Sequence, residues 1–308
     1  MQSRGPKILG NGHKVNRQTR HKRANRVPFS RAVALAPRVR AGYILDMVQD
    51  HDTSTTPTPD RFTVGTDAAQ REIAVLRREG GNPGLFWLGG FRSDMIGSKA
   101  QALDALGARE NLAVTRFDYS GHGQSGGQFL DGTISRWLEE AIAAFETTKG
   151  EQIVVGSSMG GWLALLLNRA LRARGTARIR AIVLIAPAVD MTKDLMRDTF
   201  TDAELLDLWE KGRVEQPSDY SPEPYVLTRA LIEDGENHLM FGSPIRTHCP
   251  VAILQGGKDT DVPPAHALKL VSHLVSDPVT FTLIPDGDHR LSRDPDLELL
   301  SQTILRLA

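Results

Sequence analysis

Cysteine is nearly absent: Cys249 is the single one in 308 residues. One thiol closes no intrachain disulfide and builds no Cys-rich zinc site, so the fold must rest on its apolar core, and a reducing compartment is the expectation. Long hydrophobic runs are missing as well. The longest, residues 181–189, is about half of the roughly 18 residues needed to span a bilayer, which argues against integral membrane insertion. With 40% hydrophobic and 24% charged residues, the composition is that of a globular protein rather than a disordered or fibrous one.

Acidic residues are lacking in one place. Of the 37 basic and 37 acidic residues, residues 1–46 hold 11 and one (Asp46), which leaves 26 and 36 for the rest. The formal net charge of zero is thus +10 in the leader cancelled by −10 beyond it. The leader has no sustained apolar period and cannot bury enough surface to fold alone. Three readings of it are open: an Arg-rich, acid-poor organelle transit segment, a basic tail, or sequence translated ahead of a true start at Met47. Mitochondrial localisation goes with the first reading and a cytoplasmic bacterial protein with the last; nucleic-acid binding is not expected. The polar stretch STTPTP, residues 54–59, reads as a linker. The domain organisation is therefore a basic leader and linker over 1–60 and one folded domain over 61–308.

Within that domain short β-branched and apolar runs alternate with amphipathic segments of helix length. Strands are predicted at 62–64, 72–77, 85–88, 113–117, 153–155, 181–185, 251–254 and 280–284, the first two as an antiparallel hairpin at a sheet edge. Helices are predicted at 98–106, 134–147, 160–174, 264–274 and near 296–307. Such alternation implies an α/β fold with a mostly parallel, eight-stranded sheet and helices on both faces. Functional groups then collect in loops at the strand carboxyl ends. About sixty residues between Ala188 and Cys249 are too many for a plain connection. They read as a small helical cap inserted at about 189–248, with helices at 202–211 and 225–234 and a Pro-rich turn at Pro217, Pro222 and Pro224.

The strongest chemical signal is QIVVGSSMGGW, residues 152–162. An apolar strand runs into Gly156-Ser157-Ser158-Met159-Gly160, and a helical pattern starts at once, the context in which G-x-S-x-G lifts a nucleophilic serine above a sheet. Glycines at both ends let strand and helix pass closely around Ser158; a glycine-rich structural turn is the alternative, and Ser157 reads as structural. A serine hydroxyl needs a base and an orienting acid, following in the order Ser, Asp/Glu, His. Asp259 stands in the loop after the strand of VAILQGGKDTDVP, with Asp261 as its rival, and His289 follows the final strand in TFTLIPDGDHRLS. His122, His238, His248, His266 and His273 lack that position. No histidine pair has the H-E-x-x-H spacing, so no metal is expected. Asp288 reads as a loop stabiliser.

The oxyanion of a tetrahedral intermediate needs backbone donors from the residue after the nucleophile and from the loop after the third strand. Met159 and, in LFWLGGFRSDM, Phe91 fill those places. The segment Gly121–Gly126 matches G-x-G-x-x-G, but the next helix begins near Thr133, so no helix N-terminus meets a dinucleotide and no cofactor is expected. The cap residues Leu205, Leu206, Leu208, Trp209 and Met240 are open to two readings, an apolar acyl site or ordinary packing.

With these elements in this order the sequence resembles the α/β-hydrolase superfamily. RFDYSGHGQSGG, VGSSMGGW, SPIRTHCPVAILQGGKDTDVP and DHR narrow the likeness to the mitochondrial acyl-protein thioesterases that also cleave acyl glucuronides, and to their bacterial relatives. The likeness covers about residues 61–307. It implies the α/β-hydrolase fold, Ser158 as nucleophile, Asp259 as orienting acid, His289 as base, and Phe91 and Met159 at the oxyanion. It also implies a serine hydrolase acting through an acyl-enzyme on a small-molecule ester or thioester or on an acylated protein. A peptidase or lactonase, or a non-catalytic binding protein, is the alternative on the same fold. Gly89 stands where many members of the superfamily carry histidine.

Overall fold

The structure is a computed structural model and describes residues 58–217 and 224–308. The leader and most of the expected linker lie outside the described residues, as does Pro222 of the expected Pro-rich turn. Among the described residues no helix is long and apolar enough to cross a membrane.

The fold is an α/β hydrolase fold built on one eight-stranded sheet. Its first strands are β1 (Asp60–Val64), β2 (Arg71–Arg78), β3 (Gly81–Leu88), β4 (Leu112–Phe117) and β5 (Gln152–Ser157). They are followed by β6 (Ile179–Ile185), a two-stranded excursion of β7 (Arg213–Gln216) and β8 (Tyr225–Thr228), and then β9 (Val251–Gly256) and β10 (Val279–Ile284). The order across the large sheet is β1-β2-β4-β3-β5-β6-β9-β10. The β1–β2 and β2–β4 pairs are antiparallel, and every other neighbouring pair is parallel. Parallel neighbours need crossovers. These are α1 (Ser98–Glu110), α2 (Ile134–Glu146), α3 (Met159–Ala173) and α6 (Pro264–His273), in the order of the chain but for α4 and α5 of the excursion; α7 (Asp294–Leu305) follows β10.

Side chains of the central strands divide between two cores with the period of two that a strand imposes. Val154, Ile182, Leu184 and Ile253 pack in one core with Trp137 and Phe145 of α2, Trp162, Leu163 and Leu166 of α3, and Leu270 of α6. Ile153, Val155, Val183 and Leu254 point the other way and pack with Leu103 and Leu106 of α1 and Leu300 and Ile304 of α7. Both faces of β5 and β6 are therefore covered, which is why these strands read as unbroken apolar runs rather than as alternating ones. After β3 the chain moves outward to β4, and after β5 it moves the other way to β6. The carboxyl ends of β3 and β5 thus flank the point where strand order reverses, the place where sheets of this kind open a crevice.

Between β6 and β9 the structure departs from the expected pair of helices. Helix α4 (Asp202–Lys211) forms where expected, opened by a Thr201–Glu204 capping box and closed by Gly212 at φ 75°. The predicted helix at 225–234 is corrected: its first four residues are β8, paired antiparallel with β7, and α5 runs only over Arg229–Gly235. Tyr-Val-Leu-Thr is rich in β-branched and aromatic residues, and pairing with residues 213–216 overrides the weak helical period. Phe200, Leu208, Val214, Leu227 and Ile232 give this excursion its own small core. Its return is pinned by buried Asp190, whose carboxylate accepts the N–H groups of Met240 and Phe241 at 2.8 and 2.9 Å.

Candidate active site

Ser158 sits at the tip of the turn from β5 into α3, with φ 54° and ψ −118°. That conformation is costly for a residue with a β-carbon and persists only where its surroundings over-determine it. They do so here. The Ser158 N–H donates to Ile185 O at 2.8 Å, and its carbonyl accepts from the N–H groups of Gly161 and Ala188 at 2.9 and 3.1 Å. Two residues on, a β-carbon at Gly160 would lie 2.0 Å from Leu88 O and 2.6 Å from Gly89 O, so only glycine lets α3 pass this close to the end of β3. Ser157, the other serine of the motif, is the buried last residue of β5.

The loops after β9 and β10 bring the other two predicted side chains to this tip. The Ser158 hydroxyl donates to His289 Nε2 at 3.1 Å, and His289 Nδ1–H donates to Asp259 Oδ2 at 2.9 Å. Asp259 is 4% exposed. Its Oδ2 also accepts from Gln255 Nε2 at 3.1 Å, while Oδ1 accepts from the N–H groups of Asp261 and Val262 at 3.0 and 2.8 Å. Each carboxylate oxygen thus faces two donors, which hold the group in one orientation. Asp261, the rival acid, is exposed and joins this network through its backbone N–H. Asp288 stabilises the histidine's loop, its carboxylate accepting the Leu291 N–H at 3.0 Å.

Asp259, Asp261 and His289 each offer one ligand atom within 4.8 Å of the others, the one such grouping among the described residues. The Asp259 oxygens are already taken up by N–H donors, an arrangement made for an imidazole rather than for a cation.

The loop after β3 leans on the serine turn. A β-carbon at Gly90 would lie 3.3 Å from Ser157 O and 3.4 Å from Ser158 Cβ. Phe91 follows, its half-buried ring edge-on to Phe129 and Trp137 with centroids 5.0 and 6.0 Å away. Met159 opens α3, where the first N–H groups of a helix have no partner within it. Beyond Phe91, the Arg92 guanidinium donates to Pro224 O at 2.9 Å and lies over the rings of Phe129 and Tyr225. There it borders a cavity of about 270 Å³ lined by Arg92, Phe129, Leu130, Pro224 and Val226.

Of the residues offered from sequence as an apolar acyl lining or ordinary packing, Leu205 packs half-buried against the small core of the excursion. Leu208 and Met240 are buried in cores, and Leu206 and Trp209 are exposed, the indole lying beneath the Arg229 guanidinium. Sequence reasoning passed over His122. It lies inside the G-x-G-x-x-G segment, which forms a tight turn with the Gly121 N–H donating to Gly126 O at 2.9 Å. Helix α2 begins well after it, at Ile134. His122 is 4% exposed, and burial pulls its pKa down to about 4.

Comparison with known proteins agrees with this architecture. The family model described as Alpha/beta hydrolase family matches residues 80–300. The mitochondrial palmitoyl-protein thioesterase ABHD10 of Bos taurus is 34% identical over 238 residues, covering 75% of each chain. A solved structure of a putative hydrolase from Agrobacterium vitis S4 is 49% identical, with a TM-score of 0.79 over 82% of this chain and 99% of that one. Mouse alpha/beta hydrolase domain-containing protein 10 is 32% identical, with a TM-score of 0.72 over 80% of this chain and 98% of that one. The chain is a hydrolase and belongs to the alpha/beta hydrolase family.

Proposed function

We propose that the protein is a serine hydrolase that cleaves carboxylic esters or thioesters through an acyl-enzyme. The observation that carries this reading is the continuous hydrogen-bond chain from Ser158 through His289 to buried Asp259, at 3.1 and 2.9 Å. In it, Ser158 Oγ attacks the substrate carbonyl carbon while its proton passes to His289 Nε2. Asp259 holds the Nδ1–H tautomer and stabilises the imidazolium. The N–H groups of Phe91 and Met159 receive the oxyanion. Collapse of the intermediate breaks the bond to the leaving oxygen or sulfur, which takes the proton from His289. Water, deprotonated by the same nitrogen, then attacks the acyl-serine; the acid departs and the proton returns to Ser158.

Similarity to proteins named palmitoyl-protein thioesterases supports acyl thioesters, on small molecules or on proteins, as the substrate class. Their names also place them in mitochondria, which supports the transit-segment reading of the basic leader. The described residues between β6 and β9 are read as a cap, supported by the Tyr225 ring lying 6.3 Å from that of Phe91.

The test is labelling by an alkyl fluorophosphonate together with turnover of p-nitrophenyl esters and acyl-CoA. Ser158→Ala is expected to abolish labelling and to lower kcat on the order of 10⁴-fold or more, as in other triads. Folded wild-type protein that takes no label, or a Ser158→Ala variant that still turns over, refutes the reading.

A further inference from the structure

We infer that His122 is a positioning residue for the oxyanion-binding loop: its Nε2 accepts the Arg92 N–H and so fixes the peptide group that follows Phe91. The inference deepens the serine-hydrolase reading and rests on it. The bond is 3.2 Å long. Arg92 has φ +57°, a left-handed conformation that a residue with a β-carbon adopts at a cost and keeps only when anchored. Two other backbone N–H groups anchor the loop. The Ser93 N–H donates to Gly90 O at 3.1 Å, and the Met95 N–H donates to Asp118 Oδ1 at 2.6 Å. Neither acts on the peptide group between Phe91 and Arg92. The Phe91 N–H proposed to meet the oxyanion lies in the preceding peptide group, joined to this one at Phe91 Cα, so a displacement of the anchored group shifts Phe91 Cα and that N–H with it.

His122 is itself held on every side. Its Nδ1–H donates to Ser120 O at 3.2 Å, and Trp137 Nε1 donates to the same oxygen at 3.3 Å. Ser120 is fixed in turn by Glu140, whose carboxylate accepts from the Ser120 N–H and hydroxyl at 2.8 and 2.6 Å and pairs with Arg71. Edge-on contacts with Phe129, Trp137 and Tyr119, centroids 5.1, 5.3 and 5.7 Å away, fix the plane of the ring, and the two hydrogen bonds select which nitrogen faces Arg92. The two bonds assign the tautomer: Nδ1 carries the proton and Nε2 offers its lone pair. Burial pulls the imidazole pKa down to about 4, so that lone pair is present at neutral pH. An aromatic ring needed only to fill this space requires no acceptor nitrogen.

His122→Phe keeps the ring and removes the acceptor, whereas His122→Gln has an oxygen for Arg92 and an N–H for the Ser120 carbonyl. With p-nitrophenyl butyrate, His122→Phe is expected to lower kcat about 10- to 100-fold, part of the 10²–10³ that one oxyanion donor contributes, with KM nearly unchanged. Affinity for an alkyl boronic acid, which mimics the tetrahedral intermediate, should fall by a similar factor, and His122→Gln should recover part of both. Folded His122→Phe with wild-type kcat and boronate affinity, or with a loss confined to KM, overturns the inference. ¹⁵N NMR of the wild-type imidazole needs no variant to fold: a proton on Nδ1 is expected, and a proton on Nε2 overturns the inference. Ser158→Ala separates the two levels. If it remains active, the serine-hydrolase reading fails; if it is inactive while His122→Phe is fully active, only the role of His122 falls.

Discussion

Replacing Asp259 by Asn changes one atom at the most constrained point of the site. The carboxylate takes four donors, from His289, Gln255 and the backbone of Asp261 and Val262. An amide has one oxygen and one NH₂ group, so either orientation sets two donors against NH₂. If NH₂ faces Asp261 and Val262, two backbone N–H groups are stranded next to it. If NH₂ faces His289, the imidazole meets the amide best by accepting it at Nδ1, which moves the ring proton to Nε2. His289 then points an N–H at Ser158 and has no lone pair to take its proton. A tautomer change of this kind in a serine protease triad costs about 10⁴ in kcat. The loss of charge-assisted bonds should lower folding stability by about 1–3 kcal/mol. Ester hydrolysis and urea unfolding measure the two effects separately. Asp261→Asn, which leaves its backbone donor in place, should change kcat by less than about threefold, the small effect typical of surface substitutions. An Asp259→Asn enzyme within about tenfold of wild type, or a larger loss in Asp261→Asn, would refute the reasoning, since the orienting acid would then be elsewhere.

Gly160→Ala sets a β-carbon 2.0 Å from Leu88 O, a backbone atom that cannot swing aside, and should destabilise by about 1–3 kcal/mol or more in urea unfolding. Gly175→Ala, which meets nothing within 4 Å, is the control that reports only the cost of its positive φ; equal effects would refute the close-approach argument. Lys99, whose amine donates to the Arg290 carbonyl just past His289, has its pKa lowered from 10.5 to about 8, chiefly by burial. The unfolded chain then binds more protons between those values, so this group makes stability rise as pH increases from about 8 toward 10.5. Unfolding at pH 7.5 and 9.5 should show that rise in wild type and a smaller one in Lys99→Met; the same slope in both contradicts it.

Much of this site could be read along the chain because each part has a local signal. The apolar strand running into G-x-S-x-G marks Ser158, and strand-then-loop segments mark Asp259 and His289. What escaped depends on partners distant in sequence. Strand β8 is a strand because residues 213–216 pair with it, while the helical period running on through 229–235 disguised its start. Strand β3 begins at Gly81, four residues before the predicted start, because Pro83 and Gly84 look like a break but sit where the pairing with β4 shifts register. His122 gains its place from Arg92, thirty positions earlier, a contact that no periodicity announces.

The geometry also explains why Asp259 and His289 come with paired glycines. Neighbouring strands lie about 4.8 Å apart, so β9 and β10, the second and third strands beyond β5, end roughly 10 and 14 Å from it. A side chain alone does not cover 14 Å; the loop after β10 must fold back across the end of β9. It does so by direct backbone contact. The Gly257 N–H donates to Ile284 O at 2.7 Å, and the Lys258 N–H donates to Gly287 O at 2.8 Å. A β-carbon at Gly256 would stand 2.4 Å from Asp288 O, the carbonyl just before His289. Any side chain there would push the histidine's loop off β9 and away from the serine. The G-G of LQGGKD therefore sets the distance between His289 and Ser158 as directly as the glycines that flank Ser158 set its exposure.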